Sequence, residues 1–374
     1  MKITDIRAEV INVSRYSNWV FVIAETDEGT QGFGEATLDG LEFEVVQAVK
    51  TLSKTLIGKD VVRDKLFVAN RSGGMITAAA ASGIDMAMWD LKGKAFNLPV
   101  YQMIGGAIST KVPVYVSFNR AIADRSPEGF GRRAKELVEQ GNRALKCAPF
   151  DDVTWRDPRF NREAIDLGVR RFAAMREAVG DDIEIAVDLH WRLDLAMAQE
   201  ISRRLLPYRP FWFEAPVPEH KPELISEIRK NCGMRIAGSE MQTGPEESIP
   251  LIQHHCLDVY MPDVRYMGGI TGLMKLSSVI ETFDCLLSPH NMSGPISTAA
   301  SMHVAVGMRN LVNMEYHADE AEWIKDIADV HFEVKDGYFE VPEGPGLGVN
   351  LNLDVFREHP YQQAVPLRKN MLGG

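Results

Sequence analysis

Seven polar side chains recur through the middle of the chain at near-constant intervals: Lys146, Asp188, Glu214, Glu240, Asp263, His290 and Glu315. From Asp188 onward the gaps are 26, 26, 23, 27 and 25 residues. Each group ends, or follows by one or two positions, a short apolar run rich in β-branched residues. A short strand, a helix and two loops fill such an interval, so the spacing means one functional group per βα unit. In a barrel of parallel strands these side chains converge on the C-terminal face, where barrel active sites lie.

The residue types say what such a ring could do. Asp188, Glu214 and Glu240 are carboxylates on neighbouring strands, and like charges resist joint ionisation. A divalent cation resolves that conflict, and all-oxygen donors select a hard ion, Mg²⁺ first. Taken singly, each is an ordinary strand-end or helix-capping acid; the shared register argues for the metal. Asp263 and His290 close the next two strands. An Asp bonded to one imidazole nitrogen fixes the tautomer and raises the basicity of the other, which makes His290 a candidate general base. His190 lies two residues past Asp188, on the same side of an extended strand, and is a candidate second acid or base. Lys146 would pair with a substrate carboxylate or transfer a proton, against the plainer reading of a rim lysine. Glu315, if protonated, would donate to or hold a substrate oxygen.

The elements that must position these groups follow from the patterning. Strands are expected at Val112–Ser117, Arg143–Cys147, Ile183–Asp188, Phe211–Glu214, Arg235–Ser239, Leu257–Pro262, Cys285–Ser288 and Asn310–Met314, with amphipathic helices between them. Eight strands alternating with helices imply a parallel sheet closed into a barrel. The preceding zone, Met1 to about Lys111, instead puts strands first (Ile3–Val13, Trp19–Thr26, Gln31–Ala36) and helices after (Glu42–Leu56, Val61–Asn70, Thr77–Phe96), a small α+β domain. The zone from Ala318 to Gly374 holds strand-like Val330–Val334 and Tyr338–Val341 and is expected to pack back on the first domain.

Composition narrows the class. The chain has 374 residues, with 41 Lys and Arg against 52 Asp and Glu, a net charge of −11. An acidic balance without a basic block argues against a nucleic-acid partner. Four scattered cysteines suit a reducing, cytoplasmic setting. The uncharged stretch Cys285–Met308 carries His290, Asn291, His303, serines and prolines, so a membrane span is not expected. Gly268-Gly269-Ile270-Thr271-Gly272 reads as a tight βα turn, and Gly32-Phe33-Gly34 lacks the third glycine of a dinucleotide fingerprint.

Several motifs together resemble the mandelate racemase/muconate lactonizing enzyme branch of the enolase superfamily. They are Gly83-Ile84-Asp85-Met86-Ala87-Met88-Trp89-Asp90-Leu91-Lys92-Gly93-Lys94, Glu214-Ala215-Pro216, Gly238-Ser239-Glu240, Met261-Pro262-Asp263, Ser288-Pro289-His290 and Pro345-Gly346-Leu347-Gly348-Val349. The resemblance implies a modified TIM barrel, (β/α)₇β, under an α+β capping domain, with barrel residues 112–317 and flanks 1–111 and 318–374. It implies Mg²⁺ on Asp188, Glu214 and Glu240, a His290–Asp263 dyad, and a homo-oligomer, from dimer to octamer. Loops near Ser14–Trp19 and Thr37–Phe43 would close the site, with Trp19, Asn119 and Arg192 as substrate contacts. The resemblance further implies the step that this superfamily shares, abstraction of the proton α to a carboxylate by a Lys or His base, with Mg²⁺ stabilising the ene-diolate. Racemases of the branch carry Lys-x-Lys where this chain has Lys146-Cys147-Ala148. Asp188-Leu189-His190-Trp191-Arg192 is instead similar to the Asp-x-His-x-Arg of its sugar-acid dehydratases of galactonate and mannonate type. The expectation is dehydration of an acid sugar to a 2-keto-3-deoxy acid, with His290 as base and His190 as acid. The alternatives are an epimerase, racemase or cycloisomerase using Lys146 or His190 as second base, and a non-catalytic acid-binding member.

Overall fold

The computed structural model describes residues 1–66, 74–118, 122–154, 161–317 and 321–365. Strands β1 (Ile3–Ser14), β2 (Ser17–Thr26) and β3 (Gln31–Glu35) form an antiparallel meander in that order. Helices α1 (Glu42–Leu52) and α2 (Gly74–Phe96) pack against it. Strand β2 is buried on both faces, and its two-residue period divides the labour. Val20, Val22 and Ala24 join Val45, Val49, Ala80 and Ile84 in the core of this cap. Trp19, Phe21 and Ile23 point the other way, onto Ile270, Leu273, Ile296 and Ala300 of the barrel helices.

The Gly32-Phe33-Gly34 run is a packing device. A Cβ on Gly34 would lie 1.8 Å from the Gly83 carbonyl oxygen, and one on Gly32 2.5 Å from that of Ala87. Only glycine lets β3 lie so close to α2. In 61–66 there is no helix: Asp60 accepts from the amides of Val62 and Arg63 and turns the chain. The rest of the expected Val61–Asn70 helix lies outside the described residues.

After the short α3 (Val100–Met103) the barrel alternates. Its elements are β4 (Lys111–Ser117), α4 (Pro127–Glu139), β5 (Ala144–Cys147), α5 (Asn161–Val179), β6 (Glu184–Asp188), α6 (Leu195–Leu205), β7 (Phe213–Glu214), α7 (Pro222–Cys232), β8 (Ile236–Gly238), α8 (Ile249–Gln253), β9 (Val259–Tyr260), α9 (Gly269–Thr282), β10 (Leu286–Leu287), α10 (Pro295–Ala305) and β11 (Met314–His317). The parallel strands run β10-β9-β8-β7-β6-β5-β4-β11. The two ends of this curl meet through a bridge between Leu287 and Leu311. Alternation again sorts the side chains. Val116, Leu145, Ile185, Val187, Phe213 and Ile236 face the helices, while Tyr115, Ala186, Trp212, Ala237, Val259 and Met261 fill the interior. Lys146, Asp188 and Glu214 share the inward phase and sit at its C-terminal end.

Three boundaries differ from those read off the sequence. The last barrel strand begins at Met314 rather than ending there, because residues 310–312 are spent on the bridge to Leu287, so Glu315 lies within the strand opposite Tyr115. The expected Glu246–His254 helix is a 3₁₀ turn, Pro245–Ser248, followed by the five-residue α8. In the last zone Val330–Val334 is not a strand, and β12 (Tyr338–Glu340) pairs antiparallel with β4 of the barrel. The chain then reaches the cap, where Gly346 bridges Pro99 and, beyond α11 (Leu353–Glu358), Pro360 bridges Ile11. No described helix is long and apolar enough to cross a membrane.

Cap and barrel are joined by buried carboxylates. Helices α9 and α10 start after Gly268 and Gly294, which have no side-chain oxygen to cap them. The cap supplies one in each case. Asp85 on α2 accepts from Thr271 N at 3.0 Å and Thr271 Oγ1 at 2.6 Å. Glu35 at the end of β3 accepts from Gly294 N at 2.8 Å and Ser297 N at 3.0 Å. A carboxylate there satisfies first-turn amides and complements the helix dipole. The turn reading of Gly268–Gly272 thus holds, and Asp85 already occupies that helix start. A third carboxylate, Asp90, accepts from Phe33 N and Leu347 N. Replacing Asp85 by Ala leaves two partners unpaired and is expected to cost about 2 kcal/mol, read as a lower urea midpoint; an unchanged midpoint would rule out the fastening role.

His303 on α10 closes the same seam. Its Nδ1 accepts from Tyr101 N at 3.2 Å and its Nε2–H donates to Leu347 O at 3.0 Å, which fixes the tautomer. Burial pulls its pKa down to about 4. The unfolded chain therefore takes up a proton near pH 6.5 that the native state refuses until about 4, so this group's contribution falls as pH drops through that window. Between pH 7 and 5 wild type should lose about 2 kcal/mol more stability than His303→Gln, whose amide can keep both bonds. Parallel pH profiles in urea melts would refute this.

Candidate active site

The inward alternation and the strand ends bring Lys146, Asp188, Glu214, Glu240, Asp263, His290 and Glu315 to one mouth. Lys146 lies at its base, 3 % exposed. Its ammonium is 2.6 Å from Glu214 Oε1, 2.9 Å from Glu315 Oε1 and 3.8 Å from Asp188 Oδ2. Burial alone would lower its pKa, but Glu214, Glu315, Tyr115 and Asp188 push it well above the ordinary lysine value. Glu214 also accepts from Trp212 Nε1 at 2.8 Å. Burial, with Asp188, Glu240 and Glu315 close by, lifts Glu214 to about 8 against the pull of Lys146. Glu315 moves the other way despite its burial: Lys146 and His290 hold it below the usual carboxylate range.

On one side of the mouth stands His290. Its Nδ1 is 2.7 Å from Asp263 Oδ2, and its Nε2 looks inward, 3.4 Å from Glu240 Oε2 and 3.6 Å from Glu315 Oε2. Burial works against its protonation, yet Glu240, Glu315 and Asp263 raise it to about 9. Asp263 is gripped by Arg265, with Nη2 at 2.5 Å from Oδ2 and Nε at 3.0 Å from Oδ1. Although burial opposes it, this pairing keeps Asp263 far below the usual range.

His190 reaches the mouth by a different route from the extended one that its spacing predicts. Strand β6 stops at Asp188, and His190 and Trp191 adopt left-handed conformations at φ 48° and 55°. His190 N donates to Asp188 Oδ1 at 2.9 Å. The turn swings the ring back, with Nε2 3.0 Å from Asp188 Oδ2 and Nδ1 3.4 Å from Asp151 Oδ1. Desolvation is outweighed by Asp188 and Asp151, which raise His190 to about 10. His190 and Lys146 in turn hold Asp188 low against its own burial. Before Glu240 the chain turns at Ser239, φ 83°, whose amide donates to Glu219 Oε1 at 2.6 Å.

The remaining expected contacts are placed less centrally. Arg192 Nε is 3.8 Å from Asp151 Oδ1. Trp19 is buried in the cap–barrel core and borders a cavity of about 300 Å³ with Asn291, Gly294, Thr298 and His317, a cavity that none of the mouth's carboxylates lines. Asn119 lies outside the described residues. Asp151, Arg265 and Glu219 do not stand out in the sequence. Arg265 is two residues past Asp263, as His190 is past Asp188, and the same offset would have found it. Asp151 sits in a loop four residues beyond β5, where no strand-end rule looks.

The donors Asp188, Glu214 and Glu240 are all oxygen. As they stand they lean on Lys146, Trp212, His190 and His290, and among the described residues no three His, Cys, Asp or Glu side chains gather as a metal-holding group. Three carboxylates, Asp188, Glu214 and Glu315, nevertheless lie round the one ammonium of Lys146, an excess of oxygen donors that fits a further hard cation.

Comparison with known proteins agrees with this architecture. Residues 7–105 match the N-terminal domain of the mandelate racemase/muconate lactonizing enzyme family, and residues 129–355 match the enolase C-terminal domain-like family. A D-galactonate dehydratase of Pectobacterium atrosepticum is 34% identical over 352 residues, covering 91% of this chain and 90% of that one. A D-gluconate dehydratase of Thermoproteus tenax is 32% identical over 359 residues, covering 91% of this chain and 70% of that one. The crystal structure of an enolase superfamily member from Salmonella Typhimurium superposes with a TM-score of 0.87 at 28% identity, over 96% of this chain and 98% of that one. With both domains matched, the chain belongs to the mandelate racemase/muconate lactonizing enzyme family of the enolase superfamily.

Proposed function

We propose that the protein is a Mg²⁺-dependent hydro-lyase of acid sugars, removing the proton α to the carboxylate and the β-hydroxyl to give a 2-keto-3-deoxy acid. One observation carries this reading: the strands leading to His190 and His290, β6 and β10, lie four places apart in a ring of eight, with Asp188 at the Nε2 of one imidazole and Glu240 at that of the other. β-Elimination needs a base at one carbon and an acid at the next, and this arrangement suits departure from opposite faces. His290, oriented by Asp263, takes the α-proton at Nε2. The C–H electron pair passes first into the carboxylate, giving an ene-diolate, and then returns to form the C=C bond as the C–O bond breaks. His190 delivers a proton from Nε2 to the leaving hydroxyl, which departs as water. The enol then tautomerises to the 2-keto acid.

Asp188, Glu214 and Glu240 would hold Mg²⁺, which supplies Lewis-acid stabilisation of the charge that develops on the substrate carboxylate. Lys146 adds fixed positive charge at the base of the same pocket. The names of the two dehydratase relatives support an aldonate as substrate. Racemisation needs a second α-carbon base. Lys146 is engaged by Glu214 and Glu315 at the base of the pocket, and Ala148, buried, stands where a second lysine would, so this geometry favours elimination. The four unpaired cysteines suit a cytoplasmic setting.

A panel of aldonates and aldarates with Mg²⁺, assayed for 2-keto acid, tests the activity. His290→Asn should lose both dehydration and α-deuterium exchange in D₂O. His190→Asn should lose dehydration, by on the order of 100-fold or more, and keep exchange. Turnover surviving loss of both histidines would overturn the roles, and exchange without dehydration by wild type would make the protein an epimerase. Chelator-treated protein should be inactive, and Mg²⁺ at about 100 times its Kd should stabilise it by about 2.7 kcal/mol, with a smaller effect in Glu214→Gln. A Mg²⁺ response equal in both proteins would exclude Glu214 as a ligand.

A further inference from the structure

Each of the two histidines at the mouth has an aspartate at its Nδ1, and only one of these aspartates, Asp263, bridges its histidine through the backbone as well. Asp263 holds His290. On the opposite side Asp151, from the loop after β5, lies with Oδ1 3.4 Å from His190 Nδ1, while His190 Nε2 looks inward to Asp188 at 3.0 Å. The construction is the same twice over: an arginine fixes a carboxylate, the carboxylate faces Nδ1, and Nε2 turns into the mouth, toward Glu240 in one case and Asp188 in the other. Arg265 serves Asp263; Arg125 Nη2, at 3.1 Å, serves Asp151.

The loop that carries Asp151 is built to hold it still. Arg125 donates to Ala148 O at 3.2 Å. Arg171, 4 % exposed, donates to Pro149 O at 2.9 Å, to Asp152 at 2.6 Å and to the backbone carbonyl of Arg125 at 2.7 Å. Asp151 itself keeps only 6 % of its side chain exposed. His190 rides on an exit with two successive left-handed residues, whose backbone is tied by Leu189 N to Glu214 O and Trp191 N to Ala215 O, bonds that leave the rotation of the ring to its own nitrogens. A ring on such a turn is oriented by what its nitrogens meet.

We propose that Asp151 is a positioning residue for the acid step, holding His190 by Nδ1 so that Nε2 is presented to the β-hydroxyl. This role rests on the reading of His190 as the acid. It predicts a split between the two half-reactions, since α-proton exchange needs His290 and not His190.

The experiment uses the full-length protein with Mg²⁺ and the aldonate that wild type dehydrates, measuring dehydration and α-deuterium exchange in D₂O for Asp151→Ala and Asp151→Asn. In Asp151→Ala, kcat for dehydration should fall on the order of 100-fold with KM within about threefold, while exchange stays within about threefold of wild type. Asp151→Asn keeps an oxygen acceptor without the charge and should lose roughly tenfold in dehydration, again with exchange intact. Retained exchange also certifies that each variant is folded; should Asp151→Ala not fold, the Asn variant gives the same ratio. A dehydration-to-exchange ratio unchanged in both variants overturns the Asp151 role alone. A wild type that exchanges the α-proton yet dehydrates nothing overturns the functional reading, and the Asp151 role with it.

Discussion

Anionic side chains crowd one buried mouth, and the surroundings are organised around keeping them there. Asp188, Glu214, Glu240, Asp263 and Glu315 would repel one another strongly at these depths, where charge is poorly screened. Each meets a cation, an imidazole or an indole N–H. The result is graded rather than uniform. Asp263, Asp188 and Glu315 are held below the usual carboxylate range, while burial lifts Glu214 above it. Such divergence among neighbouring carboxyls is a mark of a working site more than of a structural one. A surplus of acid that costs stability has a use if an incoming cation and an anionic substrate are to be held in turn.

The crowd rests on a barrel interior packed with large side chains. Tyr115, Trp212, Val259 and Met261 plug the lumen directly under Lys146 and Glu214. Trp212 is part of that plug and also donates to Glu214, so one side chain both packs and orients. Above, the cap contributes through contacts to the loops that follow β9 and β10. Those strands lead to the Asp263–His290 pair, and their following helices are capped by Asp85 and Glu35 from the other domain. Cap and imidazole are therefore joined by hydrogen bonds a few residues from His290.

Much of this is legible in the chain. The spacing of Asp188, Glu214, Asp263 and His290 places them in one mouth because a parallel barrel repeats its phase at every strand end. Hydrophobic alternation likewise shows which face of each strand is inward. What escapes has physical reasons. Asp151 arrives from a loop whose path is set by Arg125 and Arg171, and no periodicity encodes it. Spacing alone puts His190 on an extended strand, but a left-handed turn, which ordinary residues seldom adopt, brings it round instead. The displaced last strand shows that a closing seam takes residues that local propensity assigns to the ladder. Asp85 and Asp90 are visible as motif letters, while their work depends on partners as distant as Thr271 and Leu347.

Those distant partners bear on how the molecule is made. Glu35 and Gly294 are 259 positions apart, and Asp85 and Thr271 186 apart. On the ribosome the cap strands and α2 emerge long before α9 and α10 exist. These last barrel helices begin at glycines and have no cap of their own, so their first turns stay frayed until the finished cap docks on them. Contacts of such long range are slow to form. Closure of the barrel is thus tied to a domain synthesised at the opposite end, and a chain that stalls before docking would expose the apolar faces of both helices.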